Sequence, residues 1–139
     1  MQSIPYKIQK IKTLQFAIFP DKFINGEDVQ TSASFKFAYN LSSASIRCTA
    51  TINFIQDENL LLTTEVQCFF SIAPEGIKQL QKEKEIPVGF LQYMGTITTG
   101  TVRGIIHAKT EGTVLNAIVL PPLNLTKVIT EGMHIEPSK

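Results

Sequence analysis

Tryptophan is absent, histidine and cysteine occur twice each, and the formal net charge is only +1. Each scarcity excludes something. Cys48 and Cys68 are too few for a disulfide framework, and neither belongs to a CxxC pair. Lys and Arg total 13 against 12 Asp and Glu, so no global field draws the chain to nucleic acid or an anionic membrane. No apolar run approaches the ~20 residues of a membrane-spanning helix. Residues 1–7 lack the basic-then-apolar pattern of a secretory leader. A cytoplasmic protein without membrane insertion is expected. With 139 residues, 43% of them hydrophobic and 18% charged, the chain is too apolar for disorder and the right size for one domain.

What the sequence does have is alternation. Over residues 31–40, Ala33, Phe35, Phe37 and Tyr39 alternate with Ser32, Ser34, Lys36 and Asn40. Over residues 45–56, Ile46, Cys48, Ala50, Ile52 and Phe54 alternate with Ser45, Arg47, Thr49, Thr51 and Asn53. Over residues 60–73, Leu60, Leu62, Val66, Cys68, Phe70 and Ile72 form the apolar set, opposite Thr63, Glu65, Gln67 and Ser71. Period two with one apolar face marks half-buried strands. Leu14, Phe16 and Ile18 indicate an earlier, shorter strand over residues 12–19. The links at residues 41–44 and 57–59 suit tight antiparallel hairpins. A turn at residues 57–59 pairs positions whose numbers sum to 116, placing Cys48 opposite Cys68, two small buried hydrophobes rather than a redox switch. The link over residues 20–28 differs, because the large apolar Phe23 and Ile24 sit between the loop-forming Pro20 and Gly26. Either they are tucked onto the core or they belong to a binding surface.

Residues 74–85 are charged and read as a helical turn or a solvated loop. From Pro87 to about Lys109, Phe90, Met94, Ile97, Val102, Ile105 and Ile106 recur near helical spacing, with Pro87 suited to the first turn. Glycines and threonines give this helix poor intrinsic propensity, so packing must hold it. Gly100 and Gly104 lie on one face and permit close approach of another backbone, either the chain's own sheet or a second subunit. Residues 114–129 read as an extended segment and then a short helix, and residues 130–139 as a polar tail. The expected fold class is α+β: a four-stranded antiparallel sheet, one long helix and a short C-terminal helix on one face, forming a single domain over residues 1–129.

No catalytic grouping stands out. His107, Lys109 and Glu111 share a helix end and His134 lies near the C-terminus, which makes a poor metal or acid–base site. No cofactor, metal site or catalytic residue is expected. Lys36, Arg47 and Arg103 read as isolated cations.

The segment Thr64-Glu65-Val66-Gln67-Cys68-Phe69-Phe70-Ser71-Ile72 resembles a strand of the bacterial export chaperone SecB, which reads Glu-Val-Gln and ends near Phe-Ser-Ile. Ile11-Lys12-Thr13-Leu14-Gln15-Phe16 resembles that family's first strand, and Leu120-Pro121-Pro122-Leu123-Asn124-Leu125 its stretch before the last helix. Tyr93 matches a helix tyrosine. The resemblance implies an ATP-independent chaperone that binds unfolded or export-bound polypeptides in apolar grooves, as a homo-tetramer built as a dimer of dimers. The matching groove positions are Phe23, Ile24, Leu123, Leu125, Val128 and Ile129. Glu65 matches the acidic face on which that family docks the translocase SecA, but Thr13 and Ala17 stand where acidic residues are expected. Thr130–Lys139 does not carry the Cys/His pattern of the zinc-binding tail that some members use for SecA. A SecB-like chaperone is therefore expected rather than a dedicated export factor, with SecA or an antitoxin-like client as further partners. A domain holding a small molecule or lipid in an apolar cavity is the alternative.

An oligomer is expected on two grounds: the glycine-bearing helix, with Gly100 and Gly104 as interface candidates, and Ile55, Leu61 and Phe69 on an otherwise polar sheet face.

Overall fold

The computed structural model describes residues 4–136. Its centre is a four-stranded antiparallel sheet of β1 (Tyr6–Ile18), β2 (Gln30–Asn40), β3 (Ser45–Gln56) and β4 (Asn59–Ile72), in the order β1-β4-β3-β2. The alternating residues set the register: Cys48 pairs with Cys68, Ala50 with Val66 and Phe54 with Leu62, as the sum of 116 requires. The even-numbered side chains of β3 and β4 from Ile46 to Phe54 and from Leu62 to Ile72 are buried beneath the helices.

The hairpin turn is tighter than residues 57–59. Asp57 and Glu58 both take positive φ, 52° and 67°, as a two-residue type I′ turn demands. The register then shifts between Phe54 and Ile55, leaving Leu61 as the extra residue. Leu61 is consequently buried in the core rather than exposed on the outer sheet face. It is not one of the apolar interruptions of that face.

The first strand starts at Tyr6, earlier than its alternation suggests. Two register shifts, between Ile8 and Lys10 and between Thr13 and Gln15, break the period of two. Because β1 pairs with β4, the connection from β1 to β2 must cross the whole end of the sheet.

Helix α1 (Pro74–Glu83) follows β4, buries Leu80 and ends at Lys84 in the left-handed conformation, φ 58°. The charged segment is thus a full amphipathic helix. Helix α2 (Val88–Lys109) begins after Pro87 and lies over β3 and β4, burying Phe90, Leu91, Met94, Val102 and Ile106. Its threonines solve their own polarity. The hydroxyls of Thr98, Thr99 and Thr110 donate to the carbonyl oxygens of Met94, Gly95 and Ile106 at 2.7–2.9 Å, so all three are buried without an orphaned donor. Helix α3 (Leu125–Val128) is one turn and contacts α2 and β2.

The C-terminal stretch is not a free polar tail within the described residues. β5 (Glu85–Ile86) pairs with β6 (Met133–His134), Ile135 is buried, and the amide of Glu136 donates to the Tyr39 hydroxyl at 2.9 Å. Two apolar side chains, Ile135 and the half-buried Met133, together with backbone pairing dock it.

Candidate functional site

The crossover that carries Phe23 and Ile24 is fixed by one side chain. Gln56, at the end of β3 and almost fully buried, accepts from the Ile24 amide at 2.8 Å. It donates in return to the Ile24 carbonyl at 2.8 Å and the Glu27 carbonyl at 3.1 Å. The loop is therefore a shaped element whose residues have defined faces. Phe23 packs against the cluster formed by Ile52, Phe54, Leu61, Leu62, Leu115 and Leu120, whereas Ile24 is 46% exposed. The pair is divided between core and surface. Phe19 and Leu60, at the same end of the sheet, are also exposed.

The second candidate element is the segment after α2. Arg103 holds it: Nε donates to the Leu120 carbonyl at 2.7 Å and a terminal nitrogen to the Pro121 carbonyl at 3.1 Å. Arg103 is thus a fastener rather than an isolated cation. Val119 and Val128 project outward, and Leu123 is half-buried against the same cluster as Phe23. Leu125 and Ile129 are different. Both are buried in a second cluster with Ile46, Phe70, Phe90 and Met94, and their Cδ1 atoms lie 3.1 and 2.8 Å from where a side chain on Gly95 would begin. These two anchor α3 to α2, which removes them from any open groove lining. Of the six candidate positions, Ile24 and Val128 are exposed, Phe23 and Leu123 are half-buried, and Leu125 and Ile129 are buried.

Gly100 and Gly104 face away from the sheet, and nothing lies within 4 Å of a Cβ built at either. They therefore do not seat α2 on its own sheet. At the edge of the sheet, β1 exposes Ile8, Ile11 and Leu14, and Tyr93 of α2 is exposed beside Tyr6, ring centroids 5.8 Å apart.

Glu65 lies on the outer sheet face, where the Thr51 hydroxyl donates to it at 3.5 Å. His107 is exposed 3.9 Å from Glu111, and Lys109 sits over the Phe16 ring at 5.3 Å. Lys109 is thus held on Phe16, apart from the exposed His107–Glu111 pair. Among the described residues, no group of three metal-ligating side chains is gathered and no helix is long and apolar enough to cross a membrane. Cys48 and Cys68 are free, and burial pushes the Cys48 thiol up to about 12, a rise that the neighbouring Thr98 hydroxyl opposes.

Two shallow depressions are also present. Glu83, Lys84, Glu85, Gly132 and His134 line one, and Pro5, Tyr6, Lys7 and residues 71–74 line the other. Neither is lined by a residue of α2, where a ligand held between sheet and helix would touch.

The fold, an antiparallel sheet in this order with a long helix over its central strands and a short helix after Pro121-Pro122, is SecB-like. The chain is similar in structure to the SecB-like chaperone Rv1957 of Mycobacterium tuberculosis, solved in complex with a ChAD peptide from the antitoxin HigA1. The TM-score is 0.54 at 12% sequence identity, covering 85% of this chain and 90% of that one. No family model matches the sequence, and no curated protein matches it in sequence.

Proposed function

We propose that the protein is an ATP-independent chaperone that holds apolar segments of unfolded or precursor polypeptides on the surface formed by the crossover and the post-helix segment. The observation that carries this reading is the crossover itself. A loop pinned by Gln56 presents Ile24 outward while Phe23 and, from the other segment, Leu123 rest on one shared core cluster. Exposed aliphatic side chains around a firm base bind extended segments without reading their sequence. The SecB-like fold supports the same role, and the antitoxin peptide bound by the mycobacterial protein makes a dedicated antitoxin-like client a natural member of the client set.

The working form is a cytoplasmic homo-oligomer, a tetramer built from dimers. The exposed Ile8, Ile11, Leu14 and Tyr93 are what a second copy would cover, and the open glycine face of α2 offers a further contact.

The test is suppression of aggregation by the purified protein at stoichiometric amounts, with several unrelated denatured proteins and with ATP present or removed. Suppression independent of ATP and weakened severalfold by Ile24→Asp or Val128→Asp is expected. Failure with every client sinks the reading. Bound chains recovered from the native host then separate a broad precursor set, pointing to export and SecA, from one dominant antitoxin-like partner.

A further inference from the structure

The sheet segregates charge in a way that the total conceals. Its four strands contain six charged residues: Lys7, Lys10, Lys12, Lys36, Arg47 and Glu65. The register puts all six on the face away from the helices. Lys7 pairs with Ser71, Lys10 with Phe69, Lys12 with Gln67, Lys36 with Thr49, and Arg47 with both Phe69 and Ala38. Residues read as isolated in sequence therefore become five cations on one surface, with a single carboxylate beside them. Among the described residues, no salt bridge ties any of the five to a carboxylate. Phe69 lies in their midst, with the Lys10 ammonium 5.4 Å above its ring.

The cations occupy three successive outward rows: Lys7 in the first, Lys10 and Arg47 in the second, Lys12 and Lys36 in the third. Strand spacings near 4.8 Å and a two-residue repeat near 6.7 Å make the patch about 14 Å by 13 Å. The acidic residues Asp57 and Glu58 of the hairpin, and Asp21, Glu27 and Asp28 of the crossover, gather at the opposite end of the sheet.

We propose that this basic outer face docks a short acidic segment of a partner protein, extended so that carboxylates at alternate positions meet the three rows. The repeat of about 6.7 Å between alternate side chains of an extended chain is the repeat of the rows themselves. Charge complementarity of this kind sets orientation and speeds encounter. A nucleic acid fits less well. The patch spans only a few phosphates, its one aromatic face is covered by Lys10, and a polyanion continuing along the strands meets the acidic end. The site lies on the face opposite α2, so it stands or falls independently of the groove.

The probe is an N-acetylated, C-amidated heptapeptide alternating Glu and Ser, followed by calorimetry and amide shifts of the full chain at 50 mM and 300 mM salt. Saturable binding is expected, with shifts confined to outward residues of the sheet and affinity falling at least threefold at the higher salt. Lys36→Glu with Arg47→Glu should lower affinity at least tenfold. Lys78→Glu with Lys82→Glu, an equal charge change on α1, should leave it within twofold. Should the reversed pair unfold, Lys36→Gln with Arg47→Gln serves, with a loss of about threefold expected. No saturable binding, or equal loss from the α1 pair, overturns the proposal. So does tighter binding of a five-nucleotide oligothymidylate that the sheet variants abolish, since the face would then hold nucleic acid. Aggregation suppression by Lys36→Glu with Arg47→Glu should match the parent protein, which separates this outcome from the groove's.

Discussion

Replacing Gln56 by Met tests whether one side chain shapes the crossover. The substitution keeps an unbranched side chain of similar volume and removes three hydrogen bonds: one from the Ile24 amide and two to the carbonyls of Ile24 and Glu27. Gln56 is 2% exposed, so water cannot replace its amide on that side without entering the fold. At a net value near 1 kcal/mol each, the loss is about 3 kcal/mol. For a domain of this size that lowers Tm by about 10 °C. Thermal unfolding by circular dichroism measures it, and exchange of the Ile24 amide locates it. Client binding should weaken severalfold as well, because ordering of the loop then falls on the binding step. A Tm within 2 °C of the parent, with Ile24 exchange unchanged, would refute this role of Gln56 and show that Phe23 packing alone holds the loop.

Asp57→Asn with Glu58→Gly relieves two strained left-handed positions and should stabilise by about 1 kcal/mol in urea unfolding. Gly132→Ala should destabilise by about 1–3 kcal/mol, because the new Cβ would stand 2.6 Å from the Ile86 carbonyl oxygen, a backbone atom that cannot swing aside; the same melt checks it. The folded Cys48 thiol titrates near 12, above the ordinary value near 9, so the folded state retains a proton that the unfolded state releases. Stability should therefore be complete below about pH 9 and fall at up to about 1.4 kcal/mol per pH unit above it. Cys48→Ala should flatten that slope in denaturation measured from pH 8.5 to 10.5. Gly100→Leu or Gly104→Leu should split the proposed assembly in sedimentation while leaving the chain folded, since neither meets anything within 4 Å inside the chain. A parent protein sedimenting as a 15.5 kDa monomer would refute the oligomer.

The three meander strands are legible because a residue's side is fixed by its parity, and the core enforces that parity over ten or more residues. Parity fails where a bulge inserts a residue. That is why β1 is too short in the alternation, and why Leu61 reads as surface when it is core. The long helix is legible in its bounds although its threonines argue against it, since helix propensity scales do not anticipate hydroxyls satisfied by their own carbonyls. Gln56 and Arg103 were invisible for another reason. Each bonds to backbone carbonyls, Gln56 across 32 positions to Ile24 and Arg103 across 17 to Leu120. Every residue offers a carbonyl, so no residue type signals the partner. Phe23 and Ile24 were legible as a pair but not as opposites, because adjacent loop residues have no fixed parity.

Physics explains only part of the outer face. On β3 and β4 a charge on the helix-covered face would be buried without a partner, so those strands must send their charged residues outward. That requirement accounts for Arg47 and Glu65 but not for Lys7, Lys10 and Lys12, since the other face of β1 exposes Ile8 and Ile11. It is indifferent to sign, however, and the same burial pattern would tolerate six carboxylates as readily as five cations and Glu65. Solubility is indifferent too, since Ser, Thr and Asn already cover the outer positions of β2 and β3. Unpaired like charges on one patch repel, at a small cost to the fold that a mixture of signs would avoid. The excess of one sign is thus neither required by folding nor favoured by it, and recognition of an oppositely charged partner is the remaining physical role that turns this cost into a gain.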